Sequence, residues 1–494
     1  MTPSTNGSSR PVSVGVVGAG FGGIGMGIRL REAGIEDFTI FERADSVGGV
    51  WRANTYPGAA CDVPSHLYSF SFAPGHRWSR RYAPRDEIQS YLEEITDEYG
   101  IRPHLRLGVE AKSASFDADS GRWTLTDSEG EEHSFDFLVT ACGQLTNPAV
   151  PSVAGTDDFE GHIFHSAEWN HEHDLSGERV AVIGTGASVI QFAPEIAEVV
   201  EQLDIYQRSA PWVMNKLDRE YRPWERRLFE RFPLRVAASR LGLFAAVEGL
   251  TYPFTGTDWL ARPLEMLGDR DRRKVLAGRP DLIAKTKPDS RLGCKRVLFT
   301  NDWYPTLMRP NVELIDGGVE RITATGVVGP DGEERPADTI IWGTGFQTKD
   351  FVAPMEIKGL EDRDLNDVWG KRPEAFLGTT VSGFPNMFVM YGPNTNHISG
   401  SVPYTLECQY NYAIDAIERV RDRGLRWIDL KPEVQDEWRR EIDSRSEASS
   451  WVAGGCHNWY VTEEGANTNN WPGPWLEYHR RTRRINPGHY RVAA

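Results

Sequence analysis

A glycine-rich loop near the start of the chain constrains its fold more than any other feature. Residues 12–17 form a short β-branched run that predicts a strand, and Gly18, Gly20 and Gly23 then give the pattern G-x-G-x-x-G at the start of a helical segment. Such glycines allow a tight turn, a close approach of backbone to pyrophosphate, and close helix–strand packing. Glu42 ends the next strand 24 positions after Gly18, where a carboxylate can bind both ribose hydroxyls. The alternative is a glycine turn of some other α/β protein.

A second strand–loop–helix unit begins near residue 178. Gly184 and Gly186 repeat the first two glycines, but Val189 occupies the third position, so we expect helix and strand to lie slightly further apart there. Arg208 ends the following strand, again 24 positions after the first glycine. An acid at this position suits a free 2′-hydroxyl and an arginine suits a 2′-phosphate. The first unit therefore predicts FAD and the second NADPH, unless Arg208 is an ordinary surface cation.

Composition excludes several classes of protein. The chain has 494 residues and a net charge of -16, which argues against nucleic acid or an anionic membrane as a partner. No apolar run approaches the ~20 residues of a membrane helix, and the first residues lack the apolar core of a signal peptide. The segment "WNHEHDL", with His171 and His173, lacks an acid and Cys set at metal-ligand spacing, so we predict no metal.

The cysteines favour a reducing cytoplasm. Their odd number and wide spacing suit such a compartment, and the absence of C-x-x-C argues against a zinc ribbon or a thioredoxin-type redox pair. The five are Cys61, Cys142, Cys294, Cys408 and Cys456.

The pattern along the chain predicts an α/β protein with two Rossmann-like dinucleotide-binding domains and a helical insertion in the NADP domain. The two dinucleotide units imply electron transfer from nicotinamide to flavin. The predicted segments are a disordered N-terminus (1–11), the FAD domain (12–150), the NADP domain (151–215), the helical insertion (216–290), the NADP domain again (291–344) and the FAD domain again (345–494).

The segment "FEGHIFHSAEWN" follows neither the helical nor the strand period. Phe159, Gly161, His165 and Trp169 fill the pattern F-x-G-x-x-x-H-x-x-x-W, and on these residues the chain resembles the type I Baeyer–Villiger monooxygenases. The related nitrogen- and sulfur-oxidising flavoproteins usually carry Tyr or Phe at the last position, so Trp169 favours the Baeyer–Villiger branch. We interpret the segment as a hinge between the two domains, or alternatively as a packed linker.

Two further motifs support the resemblance. Lys295 and Arg296 match the Lys-Arg pair of the family. The pattern G-G-x-W-x-x-x-x-Y-P-G-x-x-x-D is filled by Gly48, Gly49, Trp51, Tyr56, Pro57, Gly58 and Asp62.

The resemblance implies NADPH- and O₂-dependent oxidation of a ketone to an ester or lactone through an FAD C4a-peroxide. A fixed guanidinium is the natural stabiliser of the anionic oxygen, and Arg296 is our candidate, with Asp62 holding it. Lys295 would share the 2′-phosphate with Arg208. The alternatives are a phosphate clamp or ion pair for Arg296 and an N-cap or loop role for Asp62.

The resemblance also places other side chains near the cofactors. Gly49, Trp51, Tyr68, Gln144 and Asn394 are candidates for the flavin site. The candidates in the second glycine loop include Thr185 and Ser188.

Other functions remain open from the residues alone. The closest is a flavin monooxygenase that oxidises nitrogen or sulfur of amines or thioethers. A reductase with a protein redox partner would need a disulfide or cluster that the cysteine spacing does not offer, and a non-catalytic flavin-binding protein would leave Arg208 without a purpose. We therefore expect a small-molecule ketone and O₂ as partners, and no protein redox partner.

Overall fold

The computed structural model describes residues 10–74, 77–397 and 400–494. The predicted disordered N-terminus falls mostly outside these residues, although Arg10 is described and forms an ion pair with Asp136. Within the described parts of the chain, no helix combines the length and the apolar character that a membrane span requires.

The strands, in chain order, are β1 (Val14–Val17), β2 (Phe38–Glu42), β3 (Leu105–Leu107), β4 (Ala111–Asp117), β5 (Arg122–Asp127), β6 (Glu132–Phe135), β7 (Phe137–Thr140), β8 (His162–His165), β9 (Arg179–Ile183), β10 (Gln202–Gln207), β11 (Val213–Met214), β12 (Leu298–Phe299), β13 (Val312–Asp316), β14 (Arg321–Ile322), β15 (Gly326–Val328), β16 (Glu334–Pro336), β17 (Thr339–Trp342), β18 (Glu356–Lys358), β19 (Met387–Val389), β20 (Trp427–Leu430) and β21 (Tyr490–Ala493).

The α-helices are α1 (Phe21–Glu32), α2 (Val50–Ala53), α3 (Arg85–Glu98), α4 (Val189–Ile196), α5 (Pro223–Arg231), α6 (Pro233–Thr251), α7 (Asp258–Val275), α8 (Pro280–Lys285), α9 (Trp303–Leu307), α10 (Leu365–Trp369), α11 (Val402–Arg423), α12 (Pro432–Ser446), α13 (Ser450–Ala453) and α14 (Trp475–Thr482).

Two five-stranded parallel sheets organise the molecule. The first has the order β19-β7-β1-β2-β3 and the second the order β13-β10-β9-β17-β8. In the first sheet the chain runs outward from β1 to β3 and then returns to the other side of β1. In the second sheet it runs outward from β9 to β13 and then returns with β17, which lies between β9 and the edge strand β8. The switch points lie between β1 and β7 and between β9 and β17, and ligands bind beyond the carboxyl ends of the strands at such points. This confirms the predicted pair of Rossmann-like folds.

Both sheets are covered by apolar helices, as parallel sheets require. All four residues of β1 and all four of β7 are buried, and α1 and α11 pack against that sheet. Helix α4 buries Val189, Ile190 and Phe192 in the core of the second sheet. The predicted helical insertion is confirmed as α5 to α8.

The segment "FEGHIFHSAEWN" contains regular secondary structure, although its sequence follows neither the helical nor the strand period. It contains the edge strand β8, and Trp169 packs against Phe164 and Phe192 in the core of the second sheet. A Cβ on Gly161 would lie 2.2 Å from the carbonyl oxygen of Asp338, so this position excludes larger residues. Tertiary packing at a sheet edge therefore determines this segment.

Candidate active site

The first glycine loop lies at the switch point of the first sheet. Gly18 has a φ of 102°, and a Cβ on it would lie 2.5 Å from the carbonyl oxygen of Ala141, which follows β7. A Cβ on Gly23 would lie 1.8 Å from the oxygen of Gly18. The loop therefore tolerates only glycine at both positions, as close helix–strand packing and approach to a pyrophosphate demand.

The carboxylate of Glu42 lies beside this loop, at the end of β2. Its two oxygens accept hydrogen bonds from the backbone N–H of Ala19 (2.8 Å) and of Ala44 (2.9 Å). Gly20 and Gly49 approach closely, because a Cβ on Gly49 would lie 3.0 Å from Cα of Gly20. A fixed carboxylate and side-chain-free backbone form the cradle that an adenosine diphosphate group fits.

The other candidates for the flavin site are held by hydrogen bonds. Trp51 Nε1 donates to the hydroxyl of Tyr68 at 3.1 Å, and their rings pack edge to face. Gln144 Nε2 donates to the carbonyl of Tyr391 (3.0 Å), and Asn394 Nδ2 donates to the carbonyl of Asn467 (2.8 Å). These side chains come from four separate segments, so the fold fixes their positions.

The second glycine loop repeats the geometry of the first. Gly184 has a φ of 117°, and a Cβ on it would lie 2.4 Å from the carbonyl oxygen of Gly343, which follows β17. Val189 fits at the third glycine position because Gly343 has no side chain: a Cβ there would lie 2.2 Å from Val189 Cγ2. The missing glycine of the motif is thus compensated by a glycine that directly follows the neighbouring strand β17. The remaining loop candidates are partly or fully accessible: Thr185, Gly186 and Ser188.

A cationic pair lies beyond the end of β10. Arg208 is exposed, and Lys295 Nζ donates a hydrogen bond to Ser209 Oγ. Burial, together with the nearby positive charge of Arg208, lowers the pKa of Lys295, while Asp289 opposes this shift. Two cations whose charges act on one another suit a dianionic group such as a 2′-phosphate.

Asp62 and Arg296 form an ion pair although they stand far apart in the sequence. Arg296 Nη2 and Nε both donate to Asp62 Oδ2, at 2.5 Å and 3.1 Å. The negative charge of Asp62 raises the pKa of Arg296. Burial acts to raise the pKa of Asp62, but the charge and hydrogen bonds of Arg296 outweigh it, so that pKa lies below its usual value. Both groups are therefore charged at neutral pH.

Three tyrosines surround this pair, and sequence reasoning assigned a site role to none of them. Burial raises the pKa of Tyr56, Tyr391 and Tyr460, and the charges of Arg296 and Asp62 both act on all three. The Tyr391 hydroxyl donates to Asn396 Oδ1 (2.8 Å). The available signals were that Tyr56 belongs to a family motif and that Tyr391 lies three positions before Asn394.

Lys216 is a second cation near Asp62 that sequence reasoning missed. Its ammonium group lies 5.0 Å from the centroid of the Tyr82 ring. Burial lowers the pKa of Lys216, although the acidic groups of Cys61, Asp218 and Asp62 oppose the shift. No local pattern distinguishes this lysine from a surface residue.

The prediction that the cysteine spacing offers no disulfide was wrong. Cys294 and Cys456 form a disulfide with an S–S distance of 1.97 Å and a sequence separation of 162. The bond ties the loop that carries Arg296 to the segment between α13 and α14 that carries Tyr460. Wide spacing gave no indication of it, because the fold alone brings the two thiols together.

One group of potential metal ligands occurs in the described residues. The ligand atoms of Asp127, Glu131 and His133 lie within 4.8 Å of one another at the β5–β6 hairpin. Asp127 Oδ1 already accepts from the backbone N–H groups of Glu129 and Glu131, and Asp127 Oδ2 contacts His133 Nε2 at 2.8 Å. These contacts are those of a turn, so the hairpin gives no reason to expect a metal.

Two glycine loops at two switch points, with a charged Arg–Asp pair and a cationic pair nearby, define a two-dinucleotide flavoprotein oxidoreductase. The family model described as "Flavin-binding monooxygenase-like" matches residues 12–242. A Baeyer-Villiger monooxygenase of Pseudomonas aeruginosa is 40% identical over 492 residues, covering 99% of this chain and 93% of the relative.

Two more comparisons agree. A Baeyer-Villiger monooxygenase of Streptomyces coelicolor is 40% identical over 482 residues, covering 97% of this chain and 92% of the relative. The structure of an oxidized steroid monooxygenase bound to NADP matches with a TM-score of 0.86 at 30% identity, covering 98% and 99% of the two chains.

The chain belongs to the Baeyer–Villiger monooxygenases. It is an FAD-containing, NADPH-dependent enzyme that uses O₂ to oxidise a ketone to an ester or lactone. Nitrogen or sulfur oxidation, the alternative that the residues left open, is not favoured.

Proposed function

We propose that Arg296 and Asp62 are the catalytic pair of this monooxygenase, and that its substrate is a small-molecule ketone. The observation that carries the proposal is the Arg296–Asp62 ion pair, which joins the loop before β12 to the loop after α2 and lies among tyrosines. FAD, reduced by NADPH, supplies the O₂-activating chemistry when it is bound.

Arg296 would stabilise the negative oxygen that attacks the carbonyl and the alkoxide that forms next. Its charge does not depend on working pH, and its planar group can donate two hydrogen bonds to an oxyanion. Asp62 would hold the guanidinium in one orientation through its shared oxygen. Because Asp62 has a lowered pKa, it keeps this role below neutral pH.

The glycine loops would hold the two cofactors. We propose that FAD contacts Gly18, Gly20, Gly23, Glu42, Gly49, Trp51, Asp62, Tyr68, Gln144 and Asn394. We propose that NADPH contacts Gly184, Thr185, Gly186, Ser188, Arg208 and Lys295. The positive-φ glycines and the cationic pair support these assignments.

The division into domains is part of the proposal. The FAD domain would comprise residues 12–150 and 345–494, and the NADP domain residues 151–215 and 291–344, with 216–290 inserted. We also propose a cytoplasmic location and no protein redox partner, since NADPH itself is the reductant. The Cys294–Cys456 disulfide would then have to persist against cellular thiols.

Product analysis tests the activity. The purified enzyme, NADPH and air would be incubated with aliphatic, cyclic, aromatic and steroidal ketones, and in parallel with thioethers. We expect an ester or lactone with at least one ketone class and none when O₂ is removed. Sulfoxide as the sole product, or NADPH oxidation without any oxygenated product in both panels, would contradict the proposal.

A further inference from the structure

The helical insertion carries most of the exposed hydrophobic surface in the described residues. Sixteen large hydrophobic side chains are exposed in the described residues as a whole, and eleven of these sixteen lie between residues 217 and 275. Leu234 is 84% exposed and Leu241 is 70% exposed. Isolated apolar side chains on a surface need no explanation, but a concentration of them in one substructure indicates a binding face.

Helix α6 presents an apolar outward face over nearly its whole length. Its exposed positions comprise Pro233, three leucines, four alanines, two glycines and a single charged residue, Arg235. Leu234, Ala238, Leu241 and Ala245 follow one another at spacings of three and four residues, so they share one side of the helix. At 1.5 Å per residue, this face is about 25 Å long.

Positive charge lies on the helix that precedes this face in the chain. Helix α5 is joined to α6 through Phe232 alone, and it exposes Arg226, Arg227 and Arg231, with Glu230 as its one exposed acid. Within the described residues, no ion pair joins any of these three, or Arg235, to a carboxylate. Residues 216–290 contain sixteen Lys or Arg and eleven Asp or Glu, a balance of +5 in a chain of -16. The overall charge, from which we predicted no anionic membrane partner, therefore does not describe this surface.

Aromatic side chains complete the pattern. Trp224 on α5 and Phe232 at the α5–α6 junction are both exposed, next to the arginines and to Leu234. Exposed leucine, tryptophan and phenylalanine together with arginine are typical of helices that lie in the plane of a membrane interface. The apolar side chains enter the acyl boundary, while the guanidinium groups meet lipid phosphates.

We propose that the helical insertion docks this face, formed by α5 and α6, on an anionic phospholipid surface. A second copy of the chain is the other partner that an apolar face could accept. A symmetric interface of that kind would bring the unpaired arginines of both copies together, and this repulsion disfavours it. Anionic headgroups supply the opposite charge, and docking would place the enzyme where apolar ketones concentrate.

Vesicle flotation of the FAD-loaded enzyme tests the proposal. The probes are vesicles of phosphatidylcholine alone and vesicles with a third of phosphatidylglycerol. We expect binding to the anionic vesicles, weakened by salt and nearly absent on the neutral ones. Because each basic residue near an anionic surface contributes a factor of about five, the double variant Arg226→Gln/Arg227→Gln should bind about thirtyfold less.

Matched variants separate this face from general charge effects. Arg483→Gln/Arg484→Gln removes two adjacent exposed arginines outside the insertion and should leave binding unchanged. Leu234→Glu should abolish binding, whereas Val492→Glu, at an exposed position on β21, should not. NADPH oxidation in vesicle-free buffer should be equal in all four variants, which shows that each is folded.

Three results would overturn the proposal. The first is absence of vesicle binding by the unmodified enzyme. The second is binding that the Arg226/Arg227 and Leu234 variants leave unchanged. The third is a concentration-dependent dimer, seen by light scattering and removed by Leu234→Glu, without any binding to vesicles.

Discussion

The cationic pair at the second glycine loop predicts how the enzyme distinguishes NADPH from NADH. Arg208 and Lys295 lie close enough for the charge of Arg208 to lower the pKa of Lys295. Replacing either residue by alanine should weaken the binding of NADPH, which has a 2′-phosphate, and should leave the binding of NADH almost unchanged. The ratio of kcat/KM values for the two nucleotides should therefore fall.

The size of each effect follows from exposure. A hydrogen bond to a charged group contributes about 1.5–3 kcal/mol, and solvent and salt reduce this at an exposed site. Since Arg208 is exposed, Arg208→Ala should lower the NADPH preference about threefold to tenfold. Lys295 is partly buried and hydrogen-bonded to Ser209, so Lys295→Ala should lower it about tenfold to a hundredfold.

Initial rates of NADPH and NADH oxidation, measured by absorbance at low and high ionic strength, give these ratios. The effect of Arg208→Ala should shrink at high salt more than that of Lys295→Ala, because exposed charges are screened more strongly. Arg321→Ala removes an exposed cation elsewhere and serves as the control. An unchanged nucleotide ratio in both variants would refute the assignment of the phosphate site.

Three further predictions concern stability. Gly343→Ala should lower the free energy of unfolding by about 1–3 kcal/mol and weaken NADPH binding while FAD stays bound. Adding Val189→Ala should restore both the stability and the NADPH binding. Unchanged stability and NADPH binding in the single variant would contradict the packing argument. Reduction of the Cys294–Cys456 disulfide should lower the free energy of unfolding by up to about 5 kcal/mol. In the control variant Cys294→Ser, reductant should not change the Tm. Equal Tm values for the unmodified enzyme with and without reductant would exclude the bond. Burial lowers the pKa of His66 to about 4, so the unfolded state takes up a proton before the folded state does, and the free energy of unfolding falls by at most about 3 kcal/mol between pH ~6.5 and ~4. Urea unfolding of His66→Gln should show a weaker decline over this range, and an identical decline would exclude His66.

Local sequence was sufficient for the two dinucleotide folds. The positive φ of Gly18 and Gly184 and the contact of Gly23 with Gly18 are requirements that act within a few residues, so the spacing of the glycines is a local signal. The same is true of the helices in the insertion, where apolar periodicity and proline at the first turn are local signals.

Contacts between distant segments could not be derived from local sequence. The Asp62–Arg296 pair spans 234 positions, and only the resemblance to a family indicated it. Tyr391 and Tyr460 adjoin the pair through loops whose arrangement the whole fold decides. The compensation of Val189 by Gly343 and the disulfide arise in the same way, because packing selects the neighbours.

The central claim is that the Arg296 guanidinium stabilises the negative oxygen that converts a ketone to an ester. Its most direct test is the ester formed per NADPH oxidised by Arg296→Ala, with a ketone that the unmodified enzyme accepts. We predict that the variant retains FAD and oxidises NADPH, releases hydrogen peroxide, and forms no ester. Ester formed at the unmodified ratio would contradict the account.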